Sequence, residues 1–426
     1  MKNKTLMKIT QVSVILLIVA ALTVGIIAMP QAQAADYRAS YIERLNNIKV
    51  DYTDYLDSSV VQQLPERIHD DREISVIILT DQANIMDAYE ATAKTMSFKD
   101  FALSSDEAAE IREDIAQRKQ EVLKALDEQG IHYTLGADYD TLLSGFELVI
   151  RAGEFETMTK SLGDGCGVYV SEEYKVAETQ LVENTVNVYE TGIFKSGESG
   201  YDGTGMVVAV LDTGLDSKHS AFSVENFKSG ELGMTYEDVA DVVGKTKAYE
   251  LFGGLGVDDV YINEKVPFGY DYADNDPDVY STHNNHGTHV SGVIVGKDDT
   301  ITGVAPNAQL VSMKVFSDVM DTARASWILN ALEDCVTLGV DVINMSLGTA
   351  CGFSREGDEE LESGVYQKIR DAGISLIVAA SNSYNSAYGS EKNGNLGLTS
   401  NPDSATVGSP STYAGALCVA SIEGAK

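Results

Sequence analysis

The spacing of apolar and polar positions changes several times along the chain, and each change predicts an element. Lys2, Lys4 and Lys8 precede an apolar run from Val12 to Met29, which gives way to Pro30 and the small-residue tract Ala32-Gln-Ala34-Ala35. A basic start, an apolar middle and an Ala-x-Ala end have the form of a secretory leader spanning residues 1–34, cut after Ala34. The run also approaches bilayer-spanning length, so a retained anchor is the competing reading. Residues 35–72 are polar and weakly periodic, as in a linker or early pro-region.

From residue 73 the periodicity sharpens. Ile74–Leu79 reads as a strand. Ser104 with Glu107 has the form of a capping box, opening a helix with Ile111, Ile115, Val122 and Leu126 on one face and stopping at Gly130. Strands follow at Ile131–Leu135 and Phe146–Arg151, then a short helix at Phe155–Leu162 and a strand at Gly167–Val170. The order β-α-β-β-α-β is the split βαβ pattern of a small ferredoxin-like α+β module over residues 73–172.

A polar joint at 173–200 leads into strict alternation over residues 201–426. Strands are expected at Met206–Leu211, Gln309–Val315, Val340–Met345, Ile374–Ala379 and Ala416–Ser421, with helices at His286–Val295, Ser326–Leu338 and Asp358–Ala372. Alternation of this kind calls for an α/β fold, a parallel sheet with helices on both faces.

Charge narrows the function. With 31 Lys+Arg against 65 Asp+Glu, the formal net charge of -34 excludes a nucleic-acid partner, which needs a basic face. It suits a solvated, secreted protein. The cysteines Cys166, Cys335, Cys351 and Cys418 are too scattered for a disulfide framework or a metal site. Cys335 and Cys418 are expected in the core, and a Cys335–Cys351 pair has no support.

Candidate chemistry gathers where strands end, since ligands of open α/β sheets bind beyond the carboxyl ends of the strands. Asp212-Thr-Gly follows the first strand of the second region, Ser346-Leu347-Gly348 the third, and Ala379-Ala380-Ser381-Asn382 the fourth. Three of the chain's six histidines, His283, His286 and His289, fall in one short segment that opens a small-residue helix. An acid and a histidine in the order Asp…His suit a general base held by a carboxylate, with Asn382 donating to an oxyanion. A His283/His286/His289 metal site is the rival, but Asn284-Asn285-His286-Gly287 has the look of a helix entrance. An aspartic peptidase would need a second Asp-Thr-Gly or Asp-Ser-Gly, and none is present.

Five ordered motifs resemble the subtilisin-like serine peptidases (subtilases): Met206–Asp216, His286-Gly-Thr-His-Val-Ser-Gly292, Gly303-Val-Ala-Pro-Asn-Ala308, Asp341–Gly348 and Val378–Asn382. Lys265–Asp274 and Thr406-Val-Gly-Ser-Pro410 look like the cell-envelope branch, which includes lactocepin and C5a peptidase. The resemblance implies a subtilisin-like parallel sheet, incomplete here, preceded by a ferredoxin-like propeptide that chaperones and inhibits the enzyme with its tail in the substrate cleft. It implies Asp212 and His286 as catalytic acid and base and Asn382 as oxyanion donor. Ser346, Leu347 and Gly348 would form one wall of the S1 pocket and Ala379, Ala380 and Ser381 the other. Met320–Arg324 would pair with protein or peptide substrates. No cofactor is required; a structural calcium is unsupported, because Ala221 stands where the archetypal site has a carboxylate and the 296–303 loop is short. Ser381 replaces the usual Gly, and the module carries extra residues between Asp81 and Ser104. No Gly-Thr-Ser occurs, so the nucleophile is expected beyond Lys426, after an inserted domain, in a longer secreted and wall-attached product; the 426 residues alone are expected to be inactive. A non-catalytic peptide-binding pseudopeptidase, or a truncated remnant, is the alternative.

Overall fold

The computed structural model describes residues 71–92, 96–163, 165–171, 173–176, 201–227, 230–320, 322–349, 360–382 and 407–420. The leader, nearly all of the 35–72 linker, most of the 173–200 joint and Cys351 lie outside them. The described residues belong to one unit, Asp54–Lys426. No helix among them is long and apolar enough to cross a membrane.

The chain begins with β1 (Glu73–Thr80), two short helices α1 (Ile85–Ala91) and α2 (Phe98–Ser104), and the long α3 (Asp106–Glu128). Then come β2 (Tyr133–Tyr139), β3 (Gly145–Arg151), α4 (Phe155–Ser161) and β4 (Cys166–Val170). The sheet order is β2-β3-β1-β4, and all neighbours are antiparallel. The connection from β1 to β2 therefore leaves room for β3 between them, a split βαβ arrangement. One sheet face buries Val76, Ile78, Phe146, Leu148 and Ile150 against Val122 and Leu126 of α3. The other face, with Ile77, Leu79, Tyr139 and Tyr169, joins the main core of the molecule.

Two boundaries differ from the periodic reading. Ser104 ends α2, donating its hydroxyl to Asp100 O (2.6 Å); it is Ser105 that caps α3, accepting from Ala108 N at 3.0 Å. Both serines precede an acidic helical start, and only the break between two helices selects the second. Ile131 does not start β2. Its N–H bonds to Leu126 O (3.1 Å) beyond Gly130, which has φ +70°, and its side chain is buried. It is the apolar residue that closes a helix C-terminus.

A strand β5 (Glu173–Val176) follows where the polar joint was expected to begin. The second region contains β6 (Val207–Asp212), α5 (Tyr236–Val242), α6 (Lys247–Phe252), α7 (Val257–Val260), β7 (Phe268–Asp271) and α8 (His286–Val295). It continues through β8 (Gln309–Lys314), β9 (Ala323–Arg324), α9 (Ala325–Leu338), β10 (Val342–Met345), β11 (Leu347–Gly348), α10 (Glu360–Asp371), β12 (Ser375–Ala379) and β13 (Ala416–Val419). Six strands form one parallel sheet in the order β13-β12-β10-β6-β8-β7. Every residue of β6 and β8 is buried, as covering on both faces requires. Val207, Ala209 and Leu211 join the core that holds α9, while Val208 and Val210 pack in the cluster with Val295 of α8. Each fully buried Val or Leu contributes about 1.5–3 kcal/mol.

Cys335 is a buried free thiol in α9, but Cys418 is exposed, contrary to expectation. It lies on β13, a sheet-edge strand whose Leu417 and Val419 are also exposed.

Candidate active site

The carboxyl ends of β6, β10 and β12 are level: Leu211 pairs with Met345, and Met345 with Val378. The next residues, Asp212, Ser346 and Ala379, therefore emerge together at one edge. The register of a parallel sheet thus gathers residues far apart in sequence.

Asp212 is 1% exposed and His286 5%. His286 Nδ1 lies 2.7 Å from Asp212 Oδ1, which also accepts Thr213 N at 2.7 Å. With the carboxylate accepting at Nδ1, the imidazole keeps Nε2 available as a proton acceptor. His286 N donates to Asn284 Oδ1 (3.0 Å), and Thr213 Oγ1 accepts Gly287 N (2.9 Å) while donating to Asn284 O (3.1 Å). Close approach of α8 to β6 demands glycine. A Cβ at Gly287 would sit 2.3 Å from Gly214 O, and one at Gly214, with φ +114°, would sit 2.3 Å from Val279 O. Of the three clustered histidines only His286 is drawn inward; His283 and His289 are exposed. His289, one turn on from His286, is turned by α8 to the outside. Among the described residues, no three His, Cys, Asp or Glu side chains converge as a metal site would require.

A charge cluster around a buried lysine flanks the acid. Lys314, paired with Asp212 across β8 and β6, is fully buried and donates to Asp271 (2.5 Å) and Asp274 (3.2 Å), with Asp318 at 3.7 Å. Burial pushes Asp271 up to about 6 against the pull of Lys314. Burial alone would lower the Lys314 ammonium, but Asp271, Asp274 and Asp318 outweigh it and hold it above the ordinary lysine value. Asp318 accepts Ser281 Oγ at 2.8 Å, and Ser281 Oγ accepts Asn284 N at 3.2 Å, so the cluster reaches the loop that enters α8. No motif marks this lysine; the sequence shows it only as a charge between the apolar Met313 and Val315.

The two segments expected as pocket walls are joined by a third that the motifs did not assign. Thr349 N donates to Ser409 O (2.8 Å) and Gly408 N to Ala380 O (3.0 Å), so Gly408-Ser409 bridges the Ser346–Gly348 and Ala379–Ser381 segments. A Cβ at Gly408 would fall 2.2 Å from Thr349 O and 2.5 Å from Ser381 Cβ. Ser381 has φ +84°, a region costly for a residue with a Cβ. Asn382 follows it, exposed at the same edge.

Beside this edge lies a second, three-stranded sheet in the order β11-β5-β9. β5 runs antiparallel to both neighbours, with Tyr174 opposite Ala323, Lys175 opposite Gly348 and Val176 opposite Leu347. Tyr174 is 1% exposed.

Residues 203–426, just over half the chain, match the peptidase S8 (subtilase) family. The chain belongs to the subtilase family. Among curated relatives, this subtilase is 32% identical over 315 residues to a PI-type proteinase of Lactococcus lactis subsp. cremoris, covering 71% of the chain and 15% of that protein. It is 31% identical over 229 residues to a C5a peptidase of Streptococcus pyogenes, covering 51% of the chain and 18% of the relative. The chain thus spans a small part of the length of these relatives. A solved structure, the keratinolytic enzyme fervidolysin from Fervidobacterium pennivorans, shares 15% identity over 77% of the chain and 43% of its own, with a TM-score of 0.44.

Proposed function

We propose that this subtilase is the front of a secreted serine endopeptidase, in which Asp212 and His286 are the acid and base of an Asp-His-Ser triad. The Nδ1–Oδ1 bond of 2.7 Å between two nearly fully buried side chains carries the reading. His286 would take the proton of a serine hydroxyl through Nε2 as that oxygen attacks the peptide carbonyl, then return it to the leaving amine. Asp212 would fix the tautomer and stabilise the imidazolium. Asn382 would donate its side-chain amide to the oxyanion, worth about 3–4 kcal/mol where such a donor has been removed from a subtilisin. Ser346–Gly348, Ala379–Ser381 and the Gly408-Ser409 bridge would hold the side chain before the cut. The serine would come from sequence beyond these 426 residues. No charged side chain lies among the pocket residues, consistent with uncharged groups there.

Residues 73–172 would act as an inhibitory propeptide. Substrate would be bound by strand addition between β9 and β11, the place β5 takes in this structure. The leader, and the PI-type and C5a relatives, support export, with attachment to the cell wall.

A fluorophosphonate, which esterifies an activated serine, tests the proposal. The product of the complete reading frame should be labelled at one serine, with His286→Ala abolishing labelling and the 426-residue chain unlabelled. Equal labelling of the His286→Ala protein would refute the assignment.

A further inference from the structure

Connections between a strand and a helix usually take two to six residues. Here β1 ends at Thr80 and α3 starts at Asp106, and the described residues between them form two helices and no strand. Those helices hold each other: the Tyr89 ring meets Phe98 edge-on at 5.3 Å and Phe101 at 5.6 Å, and Ile85 and Met86 are fully buried. The free amides that open α1 donate to the β2–β3 loop, Ile85 N to Asp140 O (2.9 Å) and Met86 N to Thr141 O (3.0 Å). That loop in turn sends Thr141 N (3.3 Å) and Leu142 N (2.9 Å) to Glu333 Oε1 on α9.

Inward, Arg112 of α3 donates to Asp140 (3.1 Å) and to Ala102 O (3.0 Å); outward, the framework meets lysines of the second region. Asp87 Oδ1 lies 2.7 Å from Lys368 Nζ on α10. Lys245 Nζ donates to Leu103 O. Lys247 Nζ, nearly buried, lies 3.7 Å from Asp140 and 3.5 Å from Glu333. Acids outnumber bases about two to one in this chain, yet three lysines of the second region face one surface and each meets an oxygen of the first. None of these contacts involves the cleft strand β5.

We propose that Lys245, Lys247 and Lys368 form a recognition surface for the N-terminal module, and that α1 and α2 are a second hold on it. This hold, independent of β5, keeps the module seated after the chain between the two regions is cut. The inference rests on the inhibitory reading of that module. Release then depends on breaking the lysine contacts as well as on cleavage.

The test uses the 426-residue chain with a specific protease site inserted among residues 185–195. The second region is immobilised by a C-terminal tag, the chain is nicked, and module release is timed. The unsubstituted module should stay bound. Asp87→Lys and Lys368→Glu should each speed release roughly three- to tenfold through like-charge contact, and the double exchange should restore it to within about twofold. Singles without effect, or a double as fast as the product of the singles, would overturn the second hold. A fluorescent peptide of the Ser171–Val176 sequence separates the underlying reading. If the retained module leaves the cleft open to that peptide, the inhibitory assignment fails while the hold stands; exclusion of the peptide until release supports both.

Discussion

Asp212 has one oxygen engaged twice and the other left bare. Oδ1 accepts from His286 and from Thr213 N, while Oδ2 is buried with no hydrogen-bond partner among the described residues. Holding a carboxylate this way costs free energy, which an imidazolium formed beside it would offset. Asp212→Asn should lower kcat of the complete enzyme by about 10⁴-fold with little change in KM, because an amide supports the wrong tautomer. Gly287→Ala should act in the same direction by pushing α8 off Gly214, with His286 displaced. Steady-state kinetics on both variants checks the pair; a kcat within tenfold of the parent for Asp212→Asn would remove Asp212 from the triad. The sequence made these two residues legible because each sits in a motif of small residues that admits close backbone approach. Lys314 and the Gly408-Ser409 bridge were not legible, since their roles arise from pairing across the sheet.

Elements long enough to show a period were read well: α3, α8, α9 and the central strands fall within a few residues of expectation. Among short ones, α4, β4, β10 and β13 were read but others were not. β5, β9 and β11 have two to four residues each, too few for alternation to register, and their pairing comes from tertiary position. β7 was missed because Lys265 and Pro267 precede it. Lys265 is itself an element-scale device: 1% exposed, it donates to Pro306 O (2.8 Å) and Ala308 O (2.6 Å) ahead of β8 and lies over the Phe227 ring at 4.8 Å. Burial pushes its ammonium down to about 7. A depressed folded value means the stability is present above the ordinary lysine pKa and is lost as pH falls toward 7, with no further change below. The melting temperature of the parent relative to Lys265→Met should therefore rise between pH 7 and 10. A difference that is flat or falls over that range would contradict the depressed value.

At the scale of the whole molecule, a net charge of -34 keeps chains apart, but β13 works against it. It ends the six-stranded sheet with Leu417 60% and Val419 49% exposed, an edge suited to pairing with another copy. The 426-residue chain should self-associate, and Leu417→Lys with Val419→Lys should shift it toward monomer in sedimentation velocity. A parent chain that sediments as a single monomer would show the edge to be harmless.

The two regions meet through one continuous apolar core, with β5 threaded between β9 and β11. Along β5, Lys175 faces Gly348 and Val176 faces Leu347, so the register advances toward Ser346, which is level with Asp212. Val176, the last residue of β5, thus stands one register step before Ser346. The most direct measurement is the N-terminal sequence of the mature product of the complete reading frame. The expected start lies within residues 177–180, with processing abolished by His286→Ala. A mature terminus well outside that window, or normal processing without His286, would contradict a cleft in which β5 stands as substrate before Asp212 and His286.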